Sequence, residues 1–138
     1  DYQKRMRANS EKVRNHIGSI PIEKTKFMIS LVPEGKNYKA LPEEYQGIYK
    51  YHEALTRYHR KKPSNTINTG HRSHFHYKWN RIPTVRESAR LQSFPDDFIF
   101  YGNKSQQYRQ VGNAVPPMLG QVVAEKLKQY LKGQDDVE

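Results

Sequence analysis

The stretch RIPTVRESARLQSFPD, residues 81–96, decides the fold of the second half of the chain. Thr84 is followed three residues later by Glu87, the arrangement of a capping box, in which each side chain satisfies a backbone N–H of the first helical turn. The pattern predicts a helix that begins after Thr84. It ends near Ser93, because Pro95 disfavours helical backbone in the residue before it.

Two further helices are predicted downstream of this stretch. Ser105 is a suitable N-cap for a helix over residues 106–111 that ends at Gly112. Pro117 suits the first turn of the next helix, which Gly133 is expected to end. The apolar residues of that last helix fall on one face: Leu119, Val122, Val123, Leu127, Tyr130 and Leu131.

The first half of the chain carries weaker local signals. Residues 11–17 are predicted to form a short helix, and residues 26–32 (KFMISLV) fit either a strand or a buried helical turn. Another helix is predicted to start at Leu41, with apolar positions at helical spacing: Tyr45, Ile48, Tyr49, His52 and Leu55. Residues 66–70 are predicted to form a short strand, and residues 70–80 a loop.

The overall charge indicates a polyanionic partner. Lys and Arg number 24 against 14 Asp and Glu, which gives a net charge of +10 and a pI near 9.8, values typical of nucleic-acid-binding domains. A basic soluble protein without such a partner stays open, because net charge bears on solubility and association rather than on fold. No apolar run of membrane-spanning length and no signal peptide is present, so we expect a bacterial cytoplasmic protein associated with the nucleoid.

The chain contains no cysteine. This excludes disulfides, Cys-based zinc sites and a thiol nucleophile from these residues. Three histidines, His71, His74 and His76, lie close together in the sequence. Neither Cys nor a carboxylate lies among them, so we expect no metal site there.

Two segments in order carry a family resemblance. Residues 81–96 resemble the ninth conserved block of the cytosine-C5 DNA methyltransferases, and residues 107–120 (QYRQVGNAVPPMLG) resemble the tenth. Upstream, residues 63–67 (PSNTI) resemble the end of that family's variable target-recognition region. The family's Pro-Cys dipeptide, Glu-Asn-Val segment and Phe-x-Gly-x-Gly loop are absent from the chain. We therefore expect a fragment, since the first residue is Asp1, while one subunit of a split enzyme stays open.

The resemblance implies a fold and a division of labour. The expected fold is α+β: a target-recognition region of short strands, loops and a helix over residues 1–80, then the conserved blocks and a terminal helix over residues 81–138. That helix would pack on a catalytic domain absent from this chain. The implied reaction is methyl transfer from S-adenosylmethionine to C5 of a cytosine flipped out of double-stranded DNA, in a restriction-modification system.

Roles for particular residues follow from the same resemblance. Residues expected at DNA are Thr66, Ile67, Arg72, His74, Lys78 and Arg81. Those expected at S-adenosylmethionine are Phe94, Asn113, Ala114 and Val115. Structural support is expected from Thr84, Arg86, Glu87, Arg90 and Gly112, where Gly112 also lets a ligand approach the backbone. Candidates for phosphate contacts are Arg5, Arg7, Lys12, Arg14, Arg57, Arg60, Lys61, Lys62, Arg72 and Lys78.

Two other interpretations remain at this point. The chain could be a non-catalytic DNA-binding module or remnant, which upstream sequence carrying the missing segments would exclude. Its terminal helix could also pair with a second copy of the chain, because exposed Leu and Val side chains are unfavourable in water.

Overall fold

A computed structural model describes residues 2–7, 10–47, 55–70 and 73–135. The α-helices in this part of the chain are α1 (Tyr2–Arg7), α2 (Glu23–Ser30), α3 (Glu43–Gln46), α4 (Val85–Leu91), α5 (Lys104–Asn113) and α6 (Pro117–Asp135). A short 3₁₀ helix spans Tyr38–Ala40. Strands β1 (Thr56–Arg57) and β2 (His74–Phe75) pair in parallel, with Thr56 opposite His74 and Arg57 opposite Phe75. The expected α+β class is confirmed.

Two apolar cores organise these elements. The first lies within residues 1–80, the predicted target-recognition region that is called the recognition half below, and contains Met28, Ile29, Val32, Leu41, Leu55 and Phe75. The second lies between α4 and α5 and contains Val85, Ala89, Phe94, Phe100, Tyr108 and Val111. Ile82 packs against both cores, so this residue just before α4 connects the two halves of the molecule.

The N-terminal segment packs on the second core rather than on the recognition half. The amide of Asp96 donates to the carbonyl of Met6 at 2.8 Å, and the Asn15 side chain hydrogen-bonds both backbone groups of Phe100. His16 Nδ1 lies 2.9 Å from the Thr84 hydroxyl. The division at residue 80 stays a prediction, but these contacts place Met6, Asn15 and His16 beside α4 and α5.

Several predicted elements differ in the structure. Residues 11–17 are not helical, because Asn15 adopts a left-handed φ of 58° and uses its side chain on Phe100. Residues 66–70 form no strand, while the loop predicted over 70–80 contains β2. The open choice at residues 26–32 resolves as helix α2.

The helix predicted from Leu41 is described only as far as α3, because residues 48–54 lie outside the described part of the chain. Helix α6 runs past Gly133 to Asp135, two residues beyond its predicted end.

Candidate nucleic-acid interface

Arg57 anchors the recognition half from inside. Its side chain is buried and donates to the carbonyls of Val32 at 2.7 Å and His76 at 3.3 Å, to the carbonyl of Ile29, and to Asn80 Oδ1 at 2.7 Å. These bonds tie the end of α2 to the loop after β2. Burial lowers the pKa of Arg57. The sequence placed Arg57 among the phosphate contacts, and that is wrong, because the guanidinium faces carbonyls rather than solvent.

A basic depression of about 530 Å³ opens beside β1. The basic side chains of its lining are Lys36, Lys39, Arg57, His59 and Lys62, with neither Asp nor Glu among the described lining residues. The three lysines are exposed. Sequence reasoning missed Lys36 and Lys39, although two lysines three residues apart after the Pro33 turn were a visible signal. A cationic hollow without carboxylates is suited to a phosphate backbone.

Arg60 and Glu34 form a paired group at the rim of this depression. Arg60 Nη2 lies 2.9 Å from Glu34 Oε2, and the backbone amide of Arg60 also donates to Glu34 at 2.6 Å. The Arg60 hydrogen bonds lower the pKa of Glu34 to about 2. The guanidinium of Arg60 is therefore already occupied, unlike the ammonium groups of the basic depression.

An aromatic loop, residues 76–80, projects beside this surface. His76 stacks on Tyr77 with ring centroids 4.5 Å apart, and Lys78 Nζ lies 4.7 Å from the ring centroid of Trp79. Tyr77, Lys78 and Trp79 are exposed, whereas the loop's base is fixed by the His76 amide, which donates to the Arg81 carbonyl at 3.0 Å. Exposed flat rings with a cation between them suit stacking against nucleic-acid bases.

Arg81 and Glu87 join the aromatic loop to α4. Two nitrogens of Arg81 each lie 2.7 Å from a Glu87 oxygen, and Glu87 also accepts from the Thr84 amide at 2.7 Å, which completes the predicted capping box. Burial raises the pKa of Glu87, but the hydrogen bonds from Arg81 and Thr84 outweigh it and the pKa is lowered. Arg81 is thus held by protein, and its contact with DNA stays a prediction.

The other residues predicted at DNA separate into two groups. Thr66 and Lys78 are exposed, whereas His74 is buried and stacks on Tyr58 at a ring separation of 5.3 Å. Ile67 is half-buried and packs against the second core. Arg72 lies outside the described residues.

Arg86 and Arg90 hold the segment after α4. Arg86 is fully buried and donates to the carbonyls of Arg14, Pro95 and Phe98. Arg90 Nε lies 2.8 Å from an oxygen of the buried Asp96, and this contact lowers the pKa of Asp96. The sequence singled out both arginines for support, but it missed Asp96, the carboxylate between them.

Three of the predicted cofactor residues, Asn113, Ala114 and Val115, lie at the end of α5, whereas Phe94 follows α4. Ala114 packs against the second core, of which Phe94 is a buried member, so the structure brings these two together. Phe98 lies 5.0 Å from Phe94, ring to ring, and is 48% exposed. Asn113 and Val115 are exposed beside Ala114. Phe98, Asn113 and Val115 are therefore accessible to a ligand.

Gly112 is packed against the chain's own backbone. A Cβ at this position would lie 2.7 Å from the carbonyl carbon and oxygen of Asn68 and 2.7 Å from the amide nitrogen of Thr69. The structure therefore corrects the expectation that this glycine makes room for a ligand, because residues 68–69 fill that space.

The sequence matches the family described as C-5 cytosine-specific DNA methylase over residues 2–129. The chain belongs to this family. It is 48% identical over 97 residues to the type II methyltransferase M1.HphI of Haemophilus parahaemolyticus, covering 70% of this chain and 26% of that protein. It is 43% identical over 100 residues to M.NgoFVII of Neisseria gonorrhoeae, covering 69% and 27%. It is 32% identical over 150 residues to M.DdeI of Desulfomicrobium norvegicum, covering 95% and 36%.

The chain spans about a quarter to a third of the length of these curated relatives, 26% to 36%. Cytosine-C5 methyltransferases use S-adenosylmethionine and act on DNA. Nucleoside sites combine apolar contacts with a few polar groups, and the exposed Phe98, Val115 and Asn113 are side chains of these kinds.

Two structural findings concern other kinds of site. Among the described residues, no three His, Asp or Glu side chains lie close enough together to hold a metal ion. None of the helices that the structure describes has the length and apolarity needed to cross a bilayer.

Proposed function

We propose that this chain is the DNA-recognition and cofactor-pocket-completing part of a DNA (cytosine-5-)-methyltransferase of a restriction-modification system. The observation that carries the proposal is the basic depression, whose His59 and Lys62 also line a neighbouring depression with Tyr77 of the aromatic loop. Bound S-adenosylmethionine supplies the methyl group for C5 of the cytosine. The residues of this chain bind the duplex and close one side of the pocket.

The recognition half would hold the duplex through two kinds of contact. Lys36, Lys39 and Lys62 are placed for phosphates, which set position, while Lys78 and Trp79 are placed for bases, which set sequence. Flipping a cytosine costs a few kcal/mol of stacking and pairing, which such contacts offset.

The nucleophile of the reaction must come from other residues. In the family a thiolate attacks C6 of the cytosine, and this chain has no cysteine. We therefore infer that the chain alone transfers no methyl group and that a catalytic domain or subunit of the same enzyme is its partner.

Helix α6 is the proposed contact with that partner. Its apolar residues Leu119, Val122, Val123, Leu127 and Leu131 are all half or more exposed, between 50% and 60%. Burying a Leu or Val side chain contributes roughly 1.5–3 kcal/mol, so a partner surface on this face would stabilise the assembly. Pairing with a second copy is the competing outcome, and sedimentation of the chain alone distinguishes the two.

The test of the function combines this chain with a polypeptide carrying the family's Pro-Cys, Glu-Asn-Val and Phe-x-Gly-x-Gly segments. We expect transfer of tritiated methyl groups to unmethylated plasmid DNA by the mixture and none by either part alone. Transfer by this chain unaided, or no transfer by a folded mixture, contradicts the proposal.

The DNA surface is tested separately by changing Lys36, Lys39 and Lys62 together to Ala. We expect weaker DNA binding and a salt dependence shallower by about 0.9 in slope for each phosphate that the protein no longer neutralises. The charge-matched control changes Lys126, Lys128 and Lys132 on α6, which are exposed and lie outside the basic depression. Equally weakened binding in both triple variants would indicate only a general charge effect and so reject the assigned surface.

A further inference from the structure

The close approach between Gly112 and residues 68–69 connects two parts of the proposed site. Gly112 lies in the last turn of α5, one residue before the 113–115 turn. Residues 68–69 directly follow Thr66 and Ile67, which are proposed to lie at the target nucleotide. A Cβ added to Gly112 would lie 2.7 Å from backbone atoms of the other segment, so the contact leaves no space for any side chain.

Neither side of this contact can easily move away. The Gln92 side chain donates to the Val111 carbonyl at 2.8 Å, which fixes the end of α5 to the end of α4. The Ser93 hydroxyl accepts from the Met118 amide at 3.1 Å, which fixes the start of α6 to the same place. On the other side, Ile67 packs into the second core.

Both segments also share that core. Ile67 and Ala114 pack against the same cluster of buried residues, which includes Phe94. Protein interiors are close-packed, so a displacement of one segment is transmitted to the other rather than absorbed by empty space.

We propose that Gly112 is a positioning residue, which holds the DNA-facing segment 66–70 against the 113–115 turn and so fixes the target nucleotide relative to the methyl donor. The proposal rests on the proposed function and deepens it. Its physical content is that methyl transfer depends on the spacing between two bound groups, and a misplacement of about 1 Å costs on the order of 100-fold in rate.

The test compares Gly112→Ala with Gly47→Ala in the complete enzyme, which is this chain together with its catalytic part. Gly47 is a matched control, because it also lies at a helix end and an added Cβ there meets no atom within 4 Å. For Gly112→Ala we expect a kcat lower by about 10- to 100-fold, with the Kd for S-adenosylhomocysteine without DNA within about threefold of wild type. Gly47→Ala should match wild type in both measurements.

Hydrogen exchange supplies a readout that does not depend on activity. In Gly112→Ala we expect faster amide exchange confined to residues 64–70 and 111–115, with no change there in Gly47→Ala. Wild-type kcat and unchanged exchange in a folded Gly112→Ala protein would overturn the proposal. If wild type neither transfers methyl groups nor binds S-adenosylhomocysteine, the proposed function fails, while the exchange comparison still decides whether the contact exists.

A second variant covers the case in which Gly112→Ala does not fold. Thr69→Gly loosens the opposite side of the contact and removes only an exposed side chain. A glycine there raises the backbone freedom of the segment. We expect the same fall in kcat with the same unchanged donor affinity, and a wild-type kcat in Thr69→Gly would reject the proposal.

Discussion

At the scale of single residues, buried guanidinium groups donate hydrogen bonds to backbone carbonyls in segments that form neither helix nor strand. Arg57 joins α2 to the aromatic loop, and Arg86 joins the N-terminal segment to the turn after α4. Each binds several carbonyls at once, which the planar fork of five N–H donors permits and an ammonium does not. The carbonyls of irregular segments are satisfied in this way without a sheet or helix.

Arg86→Ala is expected to destabilise the chain by about 3 kcal/mol or more, because it leaves the carbonyls of Arg14 and Pro95 without their donor and removes one of the two cations beside the buried Asp96. DNA affinity should fall together with stability, since the residue is buried and supports the fold. Urea unfolding and fluorescence anisotropy with labelled duplex measure the two effects. Arg86→Lys should restore little. A normally folded Arg86→Ala protein that loses only methyl transfer would contradict this account.

Tyr108 is expected to make the folded chain less stable at alkaline pH. Its hydroxyl is buried and donates to the carbonyl of Pro83, and burial raises its pKa from an ordinary value of 10.0 to about 12. The folded-state pKa is above the unfolded one, so this contribution is complete below pH 10 and is lost as pH rises towards 12. Unfolding free energies between pH 9 and 12 should fall less steeply in Tyr108→Phe. That variant should also lose about 1–3 kcal/mol at neutral pH; parallel pH curves would refute the assignment.

At the scale of elements, the helices of the second half are set by local capping. The capping box of Thr84 and Glu87 at α4 was visible in the sequence and is confirmed. Helix α5 was predicted as well, but its cap was misplaced: Asn103, rather than Ser105, accepts from the Gln106 amide, and Gln106 completes a second capping box. The box requires a partner three residues on, and Asn103 has one in Gln106.

Asn103→Ala is therefore expected to cost about 1 kcal/mol of stability, the usual value of an N-cap side chain. Ser105→Ala, two residues further on and exposed, should change stability by less than about 0.5 kcal/mol. Thermal or urea unfolding of the two variants measures the difference. Equal losses of stability in the two variants would contradict the assignment of Asn103 as the N-cap of α5.

The first half was predicted less well because its structure depends on contacts distant in sequence. Residues 11–17 look helical by composition, but Asn15 adopts a left-handed conformation and binds Phe100, which no local pattern reveals. Strand β2 has two residues and exists because it pairs with β1. Local propensity cannot find such a strand, since its stabilisation comes from the partner.

The residues of the candidate site could be predicted where residue type alone indicates the chemistry, and not where burial decides it. Arg86, Glu87 and Arg90 were predicted to form one charge network, whereas Glu87 pairs with Arg81, and Arg90 pairs with Asp96, which the sequence did not single out. The sequence could not show that Arg57 is buried and that Lys36 is exposed, because the two cations look alike until the fold decides which one faces carbonyls.

At the scale of the whole molecule, the exposed residues proposed to bind DNA and the buried residues of the second core lie in different parts of the fold. The recognition half presents the basic depression and the aromatic loop, while the second core holds the 113–115 turn at its margin. Ile82 and the Gly112 contact connect these parts. Helix α6 continues from the second core with its apolar side chains uncovered.

The exposed apolar side chains of α6 predict that substitutions on this face change assembly with the catalytic part much more than the stability of the chain. Val123 and Leu127 on α6 are 50% and 58% exposed, so changing both to Glu should alter the unfolding free energy of the chain by less than about 1 kcal/mol. The same change should abolish association with the catalytic part, because two carboxylates would have to be buried in an apolar interface. Sedimentation and methyl-transfer assays of the mixture measure this.

The control introduces the same number of carboxylates on α6 but off the apolar face. Lys128 and Lys132 are exposed on the side of α6 away from Leu119, Val123 and Leu127, and changing both to Glu introduces two carboxylates there. This variant should associate with the catalytic part and support methyl transfer at a rate within about tenfold of wild type, since surface changes away from a contact have small effects. If the two double variants assemble equally well, the apolar face of α6 is not the contact, and the catalytic part must bind this chain elsewhere.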